Sequence, residues 1–412
     1  MSPIPVIIDT DPGVDDIVAI LYALASPEIE IIAFIVSFGN TDVESSYKNI
    51  LKLFDVLSRH FEQFPDHRAR FPGFSSRPYI ARGPSGPLEG ALHSAQYFHG
   101  LDGLGNIHER HRDTITTGRG AEFLRASGKA GHELALELVR SYPPRSITYI
   151  ALGPLTNLAL MVREDPAACR DHLDRVVCMG GALDVPGNTS PVAEFNFFAD
   201  PFAVKELLMD GGFPLERFVL LPLDVTTPHE LRFPLYASRV DNTFKDTSAP
   251  SQASAGKPPL VHFTSAFLER AREVMVAFGK DAMELHDVCA VWYAVANPPL
   301  GERGLLDPGH AEGWKAHPRL FDIERTGELT RGMLVVDRRD ESTTHGPGEN
   351  RSEVQAALEK TFSDATAPAL VMKENSQELT SAVPKGVHTV FRTPGTDALL
   401  KSMLARVWGV EL

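Results

Sequence analysis

The stretch Val6-Ile7-Ile8-Asp9-Thr10-Asp11-Pro12-Gly13-Val14-Asp15-Asp16-Ile17 decides how this chain folds. Val6-Ile7-Ile8 is an apolar run long enough for a buried strand, and Ile17, Ile20, Leu21 and Leu24 recur behind it at helical spacing. The aspartates therefore occupy a strand end, a Pro-Gly turn and the first turn of a helix. In an open α/β sheet, that edge is where ligands bind. Period-2 alternation predicts Asp9 and Asp11 on one side of the strand. Carboxylates packed this closely repel one another unless a cation or shared protons hold them. Oxygen-only side chains favour Ca2+ or Mg2+ over Zn2+ or copper. A single acid here would serve as a helix cap or complement the helix dipole; a cluster needs a compensating charge.

Outward from this stretch, strand-like and helix-like segments alternate to about residue 300. That pattern predicts one large α/β domain, 1–412, with a mostly parallel central sheet flanked by helices. Strands are expected at 29–37, 147–152, 175–179, 218–223 and 333–336. Helices are expected at about 43–57, 132–141, 156–161, 201–209, 263–278, 287–296 and 399–408. Asp200-Pro201 reads as an N-cap followed by proline at the first helical position. Insertions are expected at about 60–76, 241–259 and 339–386, the first as a loop, the second on the surface and the third partly disordered. The Gly-rich stretch 83–106 reads as a mobile active-site flap, with a plain linker as the simpler alternative.

The chain has 412 residues, 43% hydrophobic and 23% charged, as in an ordinary globular protein. A net charge of -14 argues against a nucleic-acid or anionic-membrane partner. Cys169, Cys178 and Cys289 are too few and too scattered for a disulfide framework or a zinc site, and read as buried thiols. The first strand begins almost at Met1, which leaves no room for a targeting peptide. No apolar run reaches membrane-spanning length. The expected location is cytoplasmic.

The motif Asp9-Thr10-Asp11-Pro12-Gly13-Val14-Asp15-Asp16 resembles the N-terminal signature of the inosine-uridine-preferring nucleoside hydrolases. Gly39-Asn40 and Gly153-Pro154-Leu155-Thr156-Asn157 are similar to that family's next two motifs. Gly180-Gly181, Gly187-Asn188 and Glu194-Phe195-Asn196 follow the order of its ribose-binding segment. His286-Asp287 resembles its C-terminal His-Asp pair, and Gly327-Glu328-Leu329-Thr330-Arg331-Gly332-Met333 a segment near the family's C-terminus. The resemblance implies a single α/β domain, hydrolysis of a ribonucleoside's N-glycosidic bond, a tightly held Ca2+ and a homodimer or homotetramer. It implies Asp11, Asp15, Asp287 and the Leu152 carbonyl as metal ligands, with Asp11 also the general base. Asn40, Asn188, Glu194 and Asn196 would hold ribose hydroxyls, and Asp16 would line the metal and ribose region. His286 would lie near the leaving base as its proton donor, and His99 would approach the base.

Glycosidic cleavage passes through an oxocarbenium-like transition state, so carboxylates beside the sugar stabilise it more than the ground state. Vicinal diols fit the high coordination number of Ca2+, which favours ribose over 2-deoxyribose. Simpler roles stand beside these. Asn40 suits a turn, Glu194 an ion pair with an arginine, and Asp287 a helix cap. His286 suits a cap or surface position. Tyr97, Phe98, Trp292 and Tyr293 are candidates to stack on the base, the last two also for core packing. Two other functions remain open. A haloacid-dehalogenase-type phosphohydrolase also begins strand-Asp-x-Asp, but Gly13 stands where that family has Thr or Val. A non-catalytic nucleoside-binding protein would share the fold without turnover.

Overall fold

The structure is a computed structural model that describes residues 2–112, 115–247, 249–250, 256–299, 311–338 and 386–412. Residues 1–335 and 386–412 belong to one compact unit. Its strands in chain order are β1 Ile4–Thr10, β2 Ile29–Val36, β3 Tyr79–Arg82, β4 Arg125–Ala126, β5 Ile147–Ala151, β6 Leu173–Met179, β7 Phe218–Leu221, β8 Glu230–Arg232, β9 Ala282–Glu284, β10 Lys315–Arg319, β11 Asp322–Ile323, β12 Leu334–Val335 and β13 Val387–Arg392. Nine of these form the central sheet, in the order β10-β13-β7-β6-β5-β1-β2-β3-β4. Its pairs are parallel except the β10–β13 edge.

β1 lies inside the sheet: Asp9 pairs with Ile35 of β2 on one side and with Ala151 of β5 on the other. A strand covered on both faces must be apolar throughout, which accounts for the Val-Ile-Ile run. Helix α1 (Val14–Leu24) follows at once, and all its residues but Asp15 are buried. A helix apolar all round is a core helix, so its charged groups are confined to its first turn. Helix α2 (Val43–Gln63) is amphipathic instead. It is capped by Asp42, whose carboxylate accepts from the Glu44 and Ser45 N–H groups, and it buries Ile50, Leu53, Phe54 and Leu57. Helices α3 (Gly131–Ser141), α4 (Thr156–Glu164), α5 (Pro259–Ala277), α6 (His286–Ala296) and α7 (Thr396–Met403) complete the main elements. The Asp200 carboxylate accepts from the Ala203 N–H, so the expected N-cap is present.

Several expectations need correction. The segment 60–76 is not a bare loop: it forms 3₁₀ turns at Pro65–Arg70 and Pro72–Ser75, and Phe71 and Phe74 pack in the core. The described ends of 241–259 are also packed. Phe244 is buried, Lys257 pairs with Asp241 at 2.7 Å, and helix α5 starts at Pro259. β3, β4, β8, β9, β10, β11 and β13 were not foreseen. Most are short or at sheet edges, where alternation is weak; β13 lies one strand in from the edge, between β10 and β7. The third expected insertion lies outside the described residues except for Gly386. The three cysteines are free and buried, as expected. Trp292 and Tyr293 pack in the core, not against a ligand space. No helix among the described residues is long and apolar enough to cross a membrane.

Candidate active site

A cavity of about 620 Å³ opens at the carboxyl ends of the central strands. Its inner end is lined by Asp15, Asn40, His99, Leu152, Asn188, Glu194, Asn196, His286 and Asp287. Residues scattered over 270 positions of sequence thus meet at one place. Asp11 and Asp16 are fully buried behind this floor and bonded to Asn40, which lines it.

Each acid has its own setting. Asp11 leaves β1 at its carboxyl end, and its Oδ2 accepts the Asn40 backbone N–H at 2.7 Å. Its Oδ1 is buried with no hydrogen-bond partner among the described residues. Glycines make room for it: a Cβ on Gly39 would meet Asp11 Oδ2 at 1.9 Å, and one on Gly153 would meet Oδ1 at 2.6 Å. Asp16 is saturated. It accepts from the Thr10 hydroxyl at 2.5 Å, the Gly13 N–H at 2.9 Å and the Asn40 amide at 2.8 Å. Asp9 lies in the interior, where its carboxylate accepts from Tyr149 Oη at 2.7 Å and Asn157 Nδ2 at 2.8 Å. Asp287 falls in the first turn of α6 but does not cap it; the N-cap is Leu285.

Burial is the first cause that raises all four cluster carboxyls above the usual range, and neighbouring carboxylates add to it for Asp11, Asp15 and Asp287. Asp15 is pushed up to about 8 by burial and then by the charge of Asp16. Carboxyl oxygens of Asp15, Asp16 and Asp287 lie within 4.8 Å of one another. Such a set, with an orphaned Asp11 oxygen beside it, fits a hard divalent cation, because only added positive charge relieves the repulsion. Asp16 belongs to this geometric set, although the sequence reading gave it a place along the metal and ribose region and not among the metal ligands.

The ribose-side residues are equally fixed. Glu194 caps the short helix Phe195–Ala199, accepting from the Asn196 and Phe197 N–H groups, and also from Gly181 N–H at 2.8 Å. Its partner is thus the backbone and not an arginine. Asn196 donates to the Leu152 carbonyl at 2.6 Å and to the Met179 carbonyl at 3.3 Å. Asn188 Oδ1 accepts the Phe195 N–H at 3.0 Å. Arg331, from the last motif, donates to the Phe198 and Ala199 carbonyls at the end of that same helix. Its role is structural.

Two histidines line the cavity. His99 Nδ1 accepts the Val14 N–H at 3.1 Å, and burial pulls its pKa down to about 3. His286 Nδ1 is 2.8 Å from Thr226 Oγ1, and burial pulls it down to about 4. His99 is held because the stretch 83–106 is docked rather than free-standing. Leu88 N–H bonds to Asp200, Leu101 O accepts from Thr41, and the Asp102 carbonyl accepts from Asn49.

Sequence reasoning missed Thr10, Tyr149, Asn157 and Thr226, which orient the acids and His286. It also missed Asp224, Met275, Phe278, Lys280, Met283 and Glu284, which line the outer cavity. Asp224 follows the end of β7, a position that was readable as a ligand edge. The others come from segments with no local signal.

The comparisons agree with this geometry. The model of the inosine-uridine preferring nucleoside hydrolase family matches residues 6–365. An inosine-uridine preferring nucleoside hydrolase of Leishmania major is 31% identical over 82% of this chain and 88% of its own length. The pyrimidine-specific ribonucleoside hydrolase RihA of Salmonella paratyphi C is 32% identical over 81% and 88% respectively. A solved plant nucleoside hydrolase superposes with a TM-score of 0.66 at 21% identity, covering 98% of this chain and 99% of its own, which establishes the shared fold. These matches displace the phosphohydrolase and the non-catalytic readings. With the aspartate floor and the strand-edge cavity in place, the chain belongs to the inosine-uridine preferring nucleoside hydrolases, enzymes that break the N-glycosidic bond of ribonucleosides.

Proposed function

We propose that the hydrolysis runs at the aspartate floor, with Asp11 as general base and Ca2+ as the resident cation. The observation that carries this is the unpartnered, fully buried Asp11 Oδ1 in its glycine cradle. A buried carboxylate oxygen without a partner costs about 1–3 kcal/mol, so its retention points to a ligand or a proton to accept. Asp11, Asp15 and Asp287, with the Leu152 carbonyl, would hold the cation, and Asp16 is close enough to join them. Ca2+ bound there would orient the attacking water and lower its pKa.

The chain's own residues then divide the remaining tasks. Asp11 accepts the water's proton. Asn40, Asn188, Glu194 and Asn196 line the space where the ribose hydroxyls bind, and the carboxylate of Glu194 faces positive charge developing on the sugar. Backbone N–H groups hold Glu194 rigidly, which lowers the reorganisation needed in the transition state. His286 and His99 face the leaving base, with His286 placed to donate a hydrogen bond to it. The docked stretch 83–106 excludes water from this side. The protein is proposed to act in nucleoside salvage in the cytoplasm as a homodimer or homotetramer, which light scattering would check.

The test is ribose release from inosine, uridine, cytidine and adenosine, before and after chelation and with Ca2+ added back. Release that falls on chelation and returns with Ca2+ is the expected result. Release that persists in fully demetallated protein would overturn the assignment of the floor.

A further inference from the structure

The outer wall of the cavity carries charge that the reaction above does not use. Lys280 is the one lysine or arginine among the described residues that line the cavity. Its Nζ is clasped by Glu230 Oε1 at 2.6 Å and Glu284 Oε1 at 2.5 Å. Glu230 and Glu284 face each other across the β8–β9 pair. Burial opposes the ammonium charge, but the two carboxylates outweigh it and raise the pKa of Lys280. The ion is therefore fixed in place by the antiparallel β8–β9 pair.

Two hydrogen-bonding positions are left over. An ammonium has three N–H donors, of which the glutamates use two, and Glu284 uses one of its two oxygens. No further partner of either group occurs among the described residues. Glu284 and Lys280 both line the cavity, beside the apolar faces of Met275, Phe278 and Met283. Glu284 precedes His286 by two residues, and both face the same space.

We propose that Lys280 and Glu284 read the edge of the leaving base, Lys280 donating to an oxo group and Glu284 accepting from the adjacent ring N–H. This proposal rests on the hydrolase reading above. It selects the lactam edge, which inosine and guanosine present as O6 and N1–H and uridine as O4 and N3–H. Adenosine and cytidine present an amino donor and a ring nitrogen acceptor, the inverse pattern. Each of their groups then faces a like partner, which is discrimination by repulsion as well as by attraction. Selection is thus by edge rather than by ring size. Glu230 touches no base and is a positioning residue for Lys280.

The experiment measures kcat/KM for inosine against adenosine and for uridine against cytidine, in the Ca2+-loaded protein and in Lys280→Met, Glu284→Gln and Glu230→Gln. In parallel, calorimetry measures binding of free hypoxanthine and adenine to the same proteins. The wild-type protein is expected to prefer the oxo partner in both pairs. Lys280→Met and Glu284→Gln should each reduce that preference about tenfold, the size of one mispaired buried hydrogen bond. Glu230→Gln should reduce it less. Both side chains are partly exposed, and Glu284→Gln is isosteric, so folding is not at stake. Unchanged preferences in both variants, or a wild-type preference for adenosine and cytidine, would overturn the proposal. If no nucleoside were hydrolysed, the hydrolase reading would fail by itself. The edge reading would then stand or fall on whether hypoxanthine binds more tightly than adenine and loses that advantage in Lys280→Met.

Discussion

The two ends of the cavity are built in opposite ways. The floor takes Asp11, Asp15 and Asp16 from six consecutive residues, and strand, turn and helix place them before any distant contact is made. The outer wall takes Lys280 and Glu284 from β9 and its approach, Met275 from α5, and Tyr97 and Phe98 from the docked stretch. The floor is rigid and dense in hydrogen bonds: Asp16 alone accepts three. The wall is apolar, partly exposed at Phe278 (67%) and Tyr97 (56%), and held by one ion cluster. A floor of that kind suits chemistry common to all substrates. A wall of that kind suits recognition that can vary.

The contrast predicts unequal costs for mutation. Asp11→Asn should lose about 10²–10⁴-fold in kcat with the fold intact, the range for removing a general base. Turnover near wild type, measured beside a circular dichroism melt, would take the base role away from Asp11. Gly39→Ala should approach that loss while leaving Asp11 unchanged. Its Cβ would meet Oδ2 at 1.9 Å, on a residue whose φ is +149°. A shift of about 1 Å at a reacting group costs on the order of 10²-fold, and a Gly39→Ala enzyme of normal kcat would show that the cradle is slack.

Asn196→Ala sits between the two regions. It strips the Leu152 and Met179 carbonyls of their donor, so a loss of about 1–3 kcal/mol in stability is expected, together with weaker metal affinity. Denaturant midpoints and metal titration would separate the two effects. The wall variants Lys280→Met and Glu284→Gln should alter base preference more than maximal rate. Equal losses for every base would place the wall in the chemistry.

The smallest effect is expected far from both ends. Burial, and then the charges of His67 and Arg70, pull His60 down to about 4, below its ordinary 6.5. Neutral His60 therefore supports the fold above about pH 6.5, and that support is lost as pH falls toward 4. A loss on the order of 1 kcal/mol is expected, after allowance for solvent screening. It should disappear in His60→Phe when melting is followed over that range.

Much of the inner site was legible because chemistry and local structure coincide there. Asp11, Asp15, Asp16, Asn40 and Leu152 stand at strand ends or just beyond, where hydrophobic runs stop. The packing of 60–76 was not legible, because 3₁₀ turns bury Phe71 and Phe74 without a periodic pattern. Nor was the full capping by Glu194: the Asn196 and Phe197 donors are local, but the third, Gly181 N–H, is brought to it from another segment.

By itself, then, the sequence determined the alternating α/β core, the aspartate cluster at its strand edge and the family, because strand runs, helical spacing and the Pro-Gly turn act over a few residues. Only the tertiary structure decided which acids face the cavity, that Asp16 finds three donors while Asp11 keeps a free oxygen, and that Lys280 sits between two glutamates. Those outcomes depend on burial and on partners far away in sequence, as with Tyr149 and Asp9, 140 residues apart. No local pattern encodes which of several neighbouring carboxylates will find a donor.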